Sequence, residues 1–358
     1  MIRSRLFFHS PLARATHDGI EHDRVRTSSR SSQPSSTFAL YTIHNPSILN
    51  FKGGKMKTLR QCHQSFLMTL FGLGLLLSSC MARSQSDLEN VLKQYDSQMV
   101  EGYIQPLADL FGANVNAGFF HSAAIPTGGL HIELDIIGMG SVVTDDQKTY
   151  QVTLPPSFSS RTMKTPTVFG PKGTEVSDPS GFKYKGSDGI LDASLFPLAV
   201  PQLTVGYVYG TEATIRFITT PSIGDDKFPK TTLVGVGVRH SISQYIPQAP
   251  LDIALGFFYN KFTVGDIIDF TGISIGAQGG KSFSVLNLYG GLAWEKSTMN
   301  LDYTQSGSTS SLVNIDLDGA NTFRGTLGVG LKLGFLSIFA DANFGSVTNI
   351  SGGIGFGI

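Results

Sequence analysis

The most chemically suggestive motif in this sequence is Gly272-Ile-Ser274-Ile-Gly276, which matches the G-x-S-x-G pattern around a serine nucleophile. In hydrolases of that type the serine lies on a sharp turn between a strand and a helix, and an acid and then a histidine follow it in the chain. No histidine follows Ser274, since the last one is His240, and the motif lies within an alternating run. The spacing therefore does not predict a hydrolase.

A second pair of suggestive residues, His240 and Ser241, follows Arg239. Nucleophilic catalysis needs the histidine within hydrogen-bond reach of the serine. Neighbouring residues on a strand point to opposite faces of the sheet, so His240 and Ser241 cannot form that pair with each other. We expect no catalytic residue and no enzymatic activity; a lipase-type enzyme of the outer membrane is the least favoured alternative.

Acidic residues are the remaining candidates for chemistry. Asp225-Asp226, and the pair Asp316 and Asp318, carry the oxygen ligands that Ca²⁺ prefers, but neither set has EF-hand spacing. The glycine run Gly352–Gly355 lacks the strand-to-helix setting of a nucleotide-binding loop. The sequence therefore predicts solvated acidic loops, no metal site and no cofactor.

Charge and cysteine content restrict the partners of the chain. Lys and Arg (27) balance Asp and Glu (27), but residues 1–80 hold 10 Lys/Arg against 3 Asp/Glu, so the remaining body, with 17 against 24, is net acidic. Nucleic acid requires a basic face, so this body argues against a nucleic-acid partner. The only cysteines, Cys62 and Cys80, precede the body, which therefore has no disulfide.

The N-terminal region has the pattern of an export signal. Met56-Lys57 begins a short basic stretch, and the apolar run from Phe66 to Leu77 is shorter than the about 20 residues that a membrane-spanning helix needs. This predicts a signal peptide over 56–82 and a non-native or disordered extension over 1–55. The run Leu77-Ser78-Ser79-Cys80 resembles a lipobox, which makes Cys80 a lipidation candidate; the alternative is cleavage after Ala82.

Residues 83–112 form the only helical stretch that the pattern predicts. Apolar residues from Leu88 to Met99 recur with helical spacing, and Ser86 and Glu89 have capping-box spacing. Gly102 interrupts this pattern, so we expect a second short helix from about Pro106. The segment is expected to lead into the first strand, or to plug a barrel.

From about residue 113 the apolar period changes from 3.6 to 2, which predicts strands. Apolar faces alternate with faces of small, polar or charged residues, as in a membrane barrel or a soluble sandwich. The export signal and runs of about ten residues favour the barrel. The sequence thus predicts an all-β, closed antiparallel transmembrane β-barrel over 113–358, with roughly 12 strands and a range of about 10–14. The predicted strands cover residues 113–122, 129–139, 148–154, 202–209, 212–219, 232–241, 251–261, 269–279, 283–294, 322–333, 335–345 and 347–358.

The two faces of these strands have different expected surroundings. Aromatic residues on the apolar faces are expected to form an interfacial belt; they are Tyr207, Tyr209, Phe257, Tyr259, Trp294, Phe339 and Phe344. Charged residues on the opposite faces are expected in the lumen, where they can set selectivity or fill the interior. These lumen candidates are Glu133, Asp135, Arg239, Arg324 and Lys332.

The last strand carries the most specific pattern. Ser351, Gly353, Phe356 and Ile358 resemble the terminal signal read by the barrel-assembly machinery, although an aromatic residue is commoner at the final position. The resemblance implies that this machinery and outer-membrane lipid are partners of the chain.

The chain from about Asp87 to Ile358 also resembles an uncharacterised bacterial outer-membrane family of the domain-of-unknown-function kind. The residues that carry the resemblance are Asn116–Ala123, Val200–Leu203, Gly206, Gly235–Ile242 and Tyr245–Pro247. It implies an outer-membrane barrel of a Gram-negative bacterium without an established activity. In size and helical N-terminus the chain is also similar to long-chain fatty-acid-type transporters.

Two hypotheses about function follow. The first is a porin-like passive channel or transporter for a small or hydrophobic solute. The second is a structural or surface-exposed barrel with a filled lumen. An open path through the lumen favours the first hypothesis, and a lumen packed shut favours the second.

Overall fold

The computed structural model describes residues 97–222, 229–305 and 311–358. The predicted extension, the signal peptide with Cys80, and Asp225-Asp226 lie outside the described residues. No helix in the described part of the chain is long and apolar enough to cross a membrane.

Two helices and fifteen strands form the described chain. The helices are α1 (Ser97–Asn116) and α2 (Asp145–Lys148). The strands are β1 (Gly128–Val142), β2 (Thr149–Thr153), β3 (Thr162–Pro166), β4 (Glu175–Ser177), β5 (Lys183–Lys185), β6 (Leu195–Val208), β7 (Thr211–Thr220), β8 (Thr231–Ser241), β9 (Asp252–Val264), β10 (Ile268–Phe283), β11 (Leu286–Gln305), β12 (Ser311–Asp318), β13 (Phe323–Leu333), β14 (Leu336–Phe344) and β15 (Asn349–Gly357).

Ten antiparallel strands close into a barrel, and β12 lies outside this wall as an extension beside β11. The first wall strand pairs with the last: β1 and β15 run in register from Glu133↔Gly357 to Ser141↔Asn349. Because β10 also pairs with β11, no open edge interrupts the ring. The prediction of a closed antiparallel barrel with an N-terminal helix is confirmed.

The predicted strands include all ten strands of the wall. The two surplus predictions, 113–122 and 148–154, are wrong as wall strands. The first is the end of α1 and an irregular segment inside the barrel, and the second is β2, which pairs only with β3 outside it. Residues 111–120 are all buried, so their short alternation of apolar and polar residues does not reflect a sheet with two different faces.

Helix α1 is also longer and more continuous than the sequence predicts. It runs for 20 residues with Pro106 in its interior, where a proline removes one backbone hydrogen bond and disfavours the helix. Burial compensates for this loss, because Tyr103, Ile104 and Leu110 are almost completely buried. Tertiary packing therefore overrides the local break that Gly102 and Pro106 predict.

The connections separate the two ends of the barrel. The short-turn end holds the turns at 209–210, 284–285 and 334–335 and the chain end Ile358. The long-loop end holds the insertion 143–194 and the connection from β11 to β13.

The insertion, called the cap below, carries two small hairpins, β2–β3 and β4–β5. Val152, Leu154, Phe158 and Met163 form its own apolar cluster. The cap contacts the first half of α1, since the Tyr103 hydroxyl donates to the carbonyl of Asp188 at 3.0 Å.

Candidate functional site

The lumen of the barrel is occupied by the chain itself. Residues 97–125, called the plug below, enter at the long-loop end as α1 and continue as an irregular segment from Ala117. The segment leads to the short-turn end, where the backbone N–H of Tyr209 donates to the carbonyl of Thr127 at 3.1 Å. The chain then turns at Thr127 into β1, which begins with Gly128 and Gly129 and runs in the direction opposite to that of the plug.

The half of the lumen near the long-loop end is largely apolar, apart from buried hydrogen bonds of Ser141 and Asn114. The Phe111 ring of α1 lies 4.6 Å from the ring of Phe262 and 4.8 Å from that of Phe270, measured between centroids. Met299 and Leu301 of β11 are buried in the same cluster. A helix satisfies most of its own backbone hydrogen bonds, so the wall around it can supply apolar side chains.

Arg216 of β7 lies where α1 ends. Its guanidinium donates to the carbonyls of Val115 at 3.1 Å and Ala117 at 2.9 Å, and to Oε1 of Gln202 at 2.8 Å. The guanidinium also lies 3.5 Å above the ring centroid of Phe119. The last carbonyls of a helix lack partners and carry partial negative charge, so Arg216 stabilises the helix end although it is fully buried.

Beyond the helix end, the other half of the lumen is polar. Arg239 of β8 forms an ion pair with Glu212 and donates to the carbonyl of Ser122 at 2.6 Å and to Oε1 of Gln278 at 2.9 Å. His131 of β1 lies 3.1 Å from Glu212 on its other side. An extended segment leaves its backbone carbonyls unpaired, and here the wall supplies their donors.

Two further ionic groups belong to the wall. Arg324 of β13 pairs with Glu295 of β11 at 2.5 Å, and both side chains are buried. Asp341 of β14 accepts hydrogen bonds from Tyr289 at 3.0 Å and Asn343 at 2.6 Å. These groups link β11 to its neighbour β13 and, across β13, to β14.

A three-residue cluster joins the plug to β1 near the short-turn end. Nε2 of His121 lies 3.4 Å from Oε2 of Glu133 and 3.7 Å from Oδ1 of Asp135. The imidazole stacks on the ring of Phe339, with centroids 4.3 Å apart. Asp135 is fully buried, and the other two side chains are mostly buried.

The lumen candidates predicted from the sequence lie as follows. Glu133, Asp135, Arg239 and Arg324 point inward, and the structure brings Glu133 and Asp135 together. Lys332 lies on the same face of its strand but is exposed at the short-turn end.

Residues that the sequence interpretation missed complete the network. They are Arg216, Glu212 and His121. Arg216 and Glu212 follow the period-2 pattern of β7, so their inward position could have been predicted from the sequence. His121 has no periodic signal, because it lies on the irregular plug.

The other predicted positions fall on the wall. Ser351 and Gly353 of β15 face the lumen, whereas Phe356 and Ile358 are exposed outward. Ser274 is buried in the middle of β10, directly opposite Glu295. The His240 ring forms hydrogen bonds with the Thr211 hydroxyl through Nδ1 at 2.8 Å and with the Tyr245 hydroxyl through Nε2 at 3.0 Å.

The aromatic belt needs one correction. Trp294, Phe257 and Phe344 are exposed on the outer face, but Phe339 is buried inside the lumen against His121. Phe339 shares its face with Ser337 and Asp341, so the period of β14 assigns it to the interior. The Tyr207 side chain lies outside the described atoms.

The solved structures to which this chain is similar include an outer-membrane protein, an autotransporter transport unit and a porin. OmpT from Vibrio cholerae is 13% identical, over 64% of this chain and 100% of that chain, with a TM-score of 0.24. The transport unit of the autotransporter AIDA-I from Escherichia coli is 12% identical, over 70% and 98%, with a TM-score of 0.26. A mutant porin from Rh. blastica is 12% identical, over 63% and 100%, with a TM-score of 0.12. Scores this low carry no inference about function.

Comparison with the curated proteins gives no match. A family model described as a family of unknown function (DUF6588) matches residues 56–358, which confirms the resemblance to an uncharacterised family. The similarity to long-chain fatty-acid-type transporters stays a prediction. The chain therefore belongs to this family of unknown function, DUF6588.

Proposed function

We propose that this protein is an outer-membrane barrel closed by its own plug, and that it serves as a membrane-held scaffold which displays the cap at the long-loop end. The observation that carries the proposal is the packing of the plug. Its residues from Phe111 to Phe120 are buried without interruption, and hydrogen bonds from Arg216 and Arg239 hold its backbone.

The outer face of the barrel supports the membrane location. Each wall strand exposes a large apolar side chain; examples, one from each strand, are Leu134, Leu203, Ile215, Val236, Leu255, Ile275, Leu288, Leu327, Ile338 and Ile354. An apolar surface around the whole circumference requires a lipid environment, because soluble proteins rarely expose large apolar patches.

Assembly in that membrane is part of the proposal. The outward position of Phe356 and Ile358 leaves their side chains available to the barrel-assembly machinery. Membrane fractionation with heat-modifiable gel mobility tests the location. A soluble periplasmic species contradicts it.

The competing hypothesis is passage of a small or hydrophobic solute, which requires the plug to move. A cysteine pair can hold the plug in place, since a Cβ on Gly112 would lie 3.1 Å from the Cβ of Ser297. This is close to the about 3.5–4.5 Å of a disulfide. The double variant Gly112→Cys/Ser297→Cys therefore locks α1 to β11 when oxidised and releases it when reduced.

Planar-bilayer conductance of the refolded full-length protein distinguishes the two functions. A scaffold gives no channel steps, either as the native protein or as the locked variant. Channels in the native protein that disappear on oxidation of the double variant and return on reduction would establish transport by plug movement. Channels that persist in the locked variant would show that the plug does not close the lumen.

A further inference from the structure

The cluster of His121, Glu133 and Asp135 has the composition of a metal site. One nitrogen or oxygen atom from each side chain lies within 4.8 Å of the other two. Imidazole together with carboxylates suits borderline divalent ions such as Zn²⁺, whereas Ca²⁺ and Mg²⁺ prefer oxygen ligands alone.

The separations between these atoms fit a shared ion better than direct hydrogen bonds. His121 Nε2 is 3.4 Å from Glu133 and 3.7 Å from Asp135, and both distances exceed the about 2.7–3.2 Å of an N–H···O hydrogen bond. Two ligands that each lie about 2.1 Å from one Zn²⁺ are themselves about 3.0–3.4 Å apart, so the two distances from His121 need only a small contraction.

Asp135 supplies an independent reason to expect a cation. Its side chain is fully buried, and neither carboxylate oxygen accepts a hydrogen bond of standard geometry. Its cross-strand neighbour Gln202 accepts from Arg216 through Oε1, and the Gln202 amide N–H is the side-chain donor next to Asp135. A buried carboxylate that accepts no short hydrogen bond is unfavourable, and a bound metal ion reduces that penalty.

The surroundings hold the three groups in place and leave space between them. Ser337 donates to Oε1 of Glu133 at 2.8 Å, which leaves Oε2 directed towards His121. A Cβ on Gly355 would overlap Oδ1 of Asp135 and lie 3.0 Å from Oε1 of Glu133. Supporting contacts of this kind are typical around metal ligands.

The charge of the lumen points in the same direction. Besides Asp252 at the start of β9, five carboxylates of the wall strands line the described interior: Glu133, Asp135, Glu212, Glu295 and Asp341. Three arginines oppose them: Arg216, Arg239 and Arg324. With neutral histidines the buried interior is therefore two charges negative, and Lys332 is exposed at the short-turn end.

We propose that His121, Glu133 and Asp135 bind one divalent transition-metal ion of the zinc type, which joins the plug to β1. The ion has three protein ligands and one position open to water. His121 and Glu133 are each partly accessible, so the ion enters from the short-turn end. The site is independent of whether the barrel acts as a scaffold or a transporter.

Metal titration of the refolded full-length protein in detergent tests the site. After treatment with a chelator, the native protein is expected to take up one Zn²⁺ per chain, and Co²⁺ in its place is expected to give visible d–d absorption. Asp135→Asn is expected to weaken Zn²⁺ binding at least tenfold and to change the Co²⁺ spectrum. Gly355→Ala is expected to weaken binding too, because its methyl group occupies the space between the carboxylates.

The matched control is Asp252→Asn, the same chemical change on the lumen face of β9 outside the cluster. It is expected to bind Zn²⁺ like the native protein, and heat-modifiable mobility checks the folding of each variant. A native protein that takes up no Zn²⁺ overturns the proposal. Equal Zn²⁺ affinity in the native protein and in a folded Asp135→Asn variant overturns it too.

Discussion

The two halves of the lumen are filled by the same segment of chain in different ways. Near the long-loop end the plug is a helix, and the wall presents apolar side chains such as Phe262 and Phe270. Near the short-turn end the plug is irregular, and the wall presents Arg239 and Asn287, which donate to the carbonyls of Ser122 and His121.

The difference follows from backbone hydrogen bonding. A helix pairs its own N–H and C=O groups, so its surroundings need only match its shape. An extended segment that has no neighbouring strand needs donors and acceptors from the wall at nearly every residue. Arg216 and Arg239 are therefore accounted for by the conformation of the plug, without any passing solute.

The largest effect is expected in the apolar half. Phe111→Ala removes a ring that is 2% exposed and leaves a cavity, which lowers the free energy of unfolding by about 3–5 kcal/mol. Phe111→Leu preserves most of the volume and is expected to lower it by about 1 kcal/mol. Urea unfolding followed by Trp294 fluorescence measures both; equal effects of the two changes would contradict shape-based packing.

In the polar half the identity of the donor matters more than its volume. Arg216→Met leaves the carbonyls of Val115 and Ala117 unpaired and is expected to lower the free energy of unfolding by about 2–4 kcal/mol. Arg216→Lys is expected to lose nearly as much, because one ammonium group cannot reproduce the planar guanidinium.

The same urea measurement applies, with the exposed Arg161→Met as the matched control, for which no change is expected. An Arg216→Lys variant as stable as the native protein would show that charge alone holds the end of the helix.

A smaller effect is expected at the junction of the two halves. Gly118 has φ +68°, and a Cβ there would lie 2.8 Å from Cγ2 of Ile137. Gly118→Ala is expected to lower the free energy of unfolding by about 1–3 kcal/mol, through strain and this contact. Gly334→Ala has a similar φ of +68° but no neighbour within 4 Å, so the difference between the two variants isolates the contact with the wall. Equal losses of unfolding free energy in Gly118→Ala and Gly334→Ala would show that Gly118 does not lie in a packed lumen.

The smallest effect lies outside the lumen, in the cap. Hydrogen bonds from Ser180 and Phe182 hold the pKa of Asp178 below its usual range. At a pH above about 4, the ordinary pKa of a carboxyl group, the lowered pKa of Asp178 stabilises the hairpin β4–β5. This contribution is lost as the pH falls through the lowered pKa. Limited proteolysis of residues 175–185 should therefore accelerate only in acid. Asp178→Asn should abolish that pH dependence. A native protein that is cleaved faster near neutral pH than in acid would contradict this assignment.

The wall could be predicted from the sequence because each wall strand has two different environments. Lipid on one side and the interior on the other impose a period of 2, as in Val234 to Arg239. The plug has one environment on all sides, so Phe111 to Phe120 show no usable period. Strand β12 differs from the sequence prediction for another reason: the acidic residues Asp316 and Asp318 within it predict a solvated loop.

For the candidate metal site, the sequence likewise predicts the residues that lie on the wall but not the residue on the plug. Glu133 and Asp135 follow the period of β1 and could be assigned to the interior. Their approach to His121 depends on the path of the plug, and the space between them depends on Gly355 of a strand far away in sequence. Local patterns contain neither piece of information, which is why the sequence predicts no metal site.

The central claim is that the plug occupies the whole lumen, including its irregular half. A Cβ on Gly280 would lie 3.3 Å from the Cβ of Ala123, so Ala123→Cys/Gly280→Cys is expected to form a disulfide in the refolded full-length protein. Ala123→Cys with Leu292→Cys is the control, because Leu292 is 75% exposed on the outer face. Mass spectrometry should find the first pair cross-linked and inaccessible to maleimide, and the control pair reduced. Free, maleimide-reactive thiols at the introduced cysteines of both variants, as distinct from the native Cys62 and Cys80, would contradict a filled lumen.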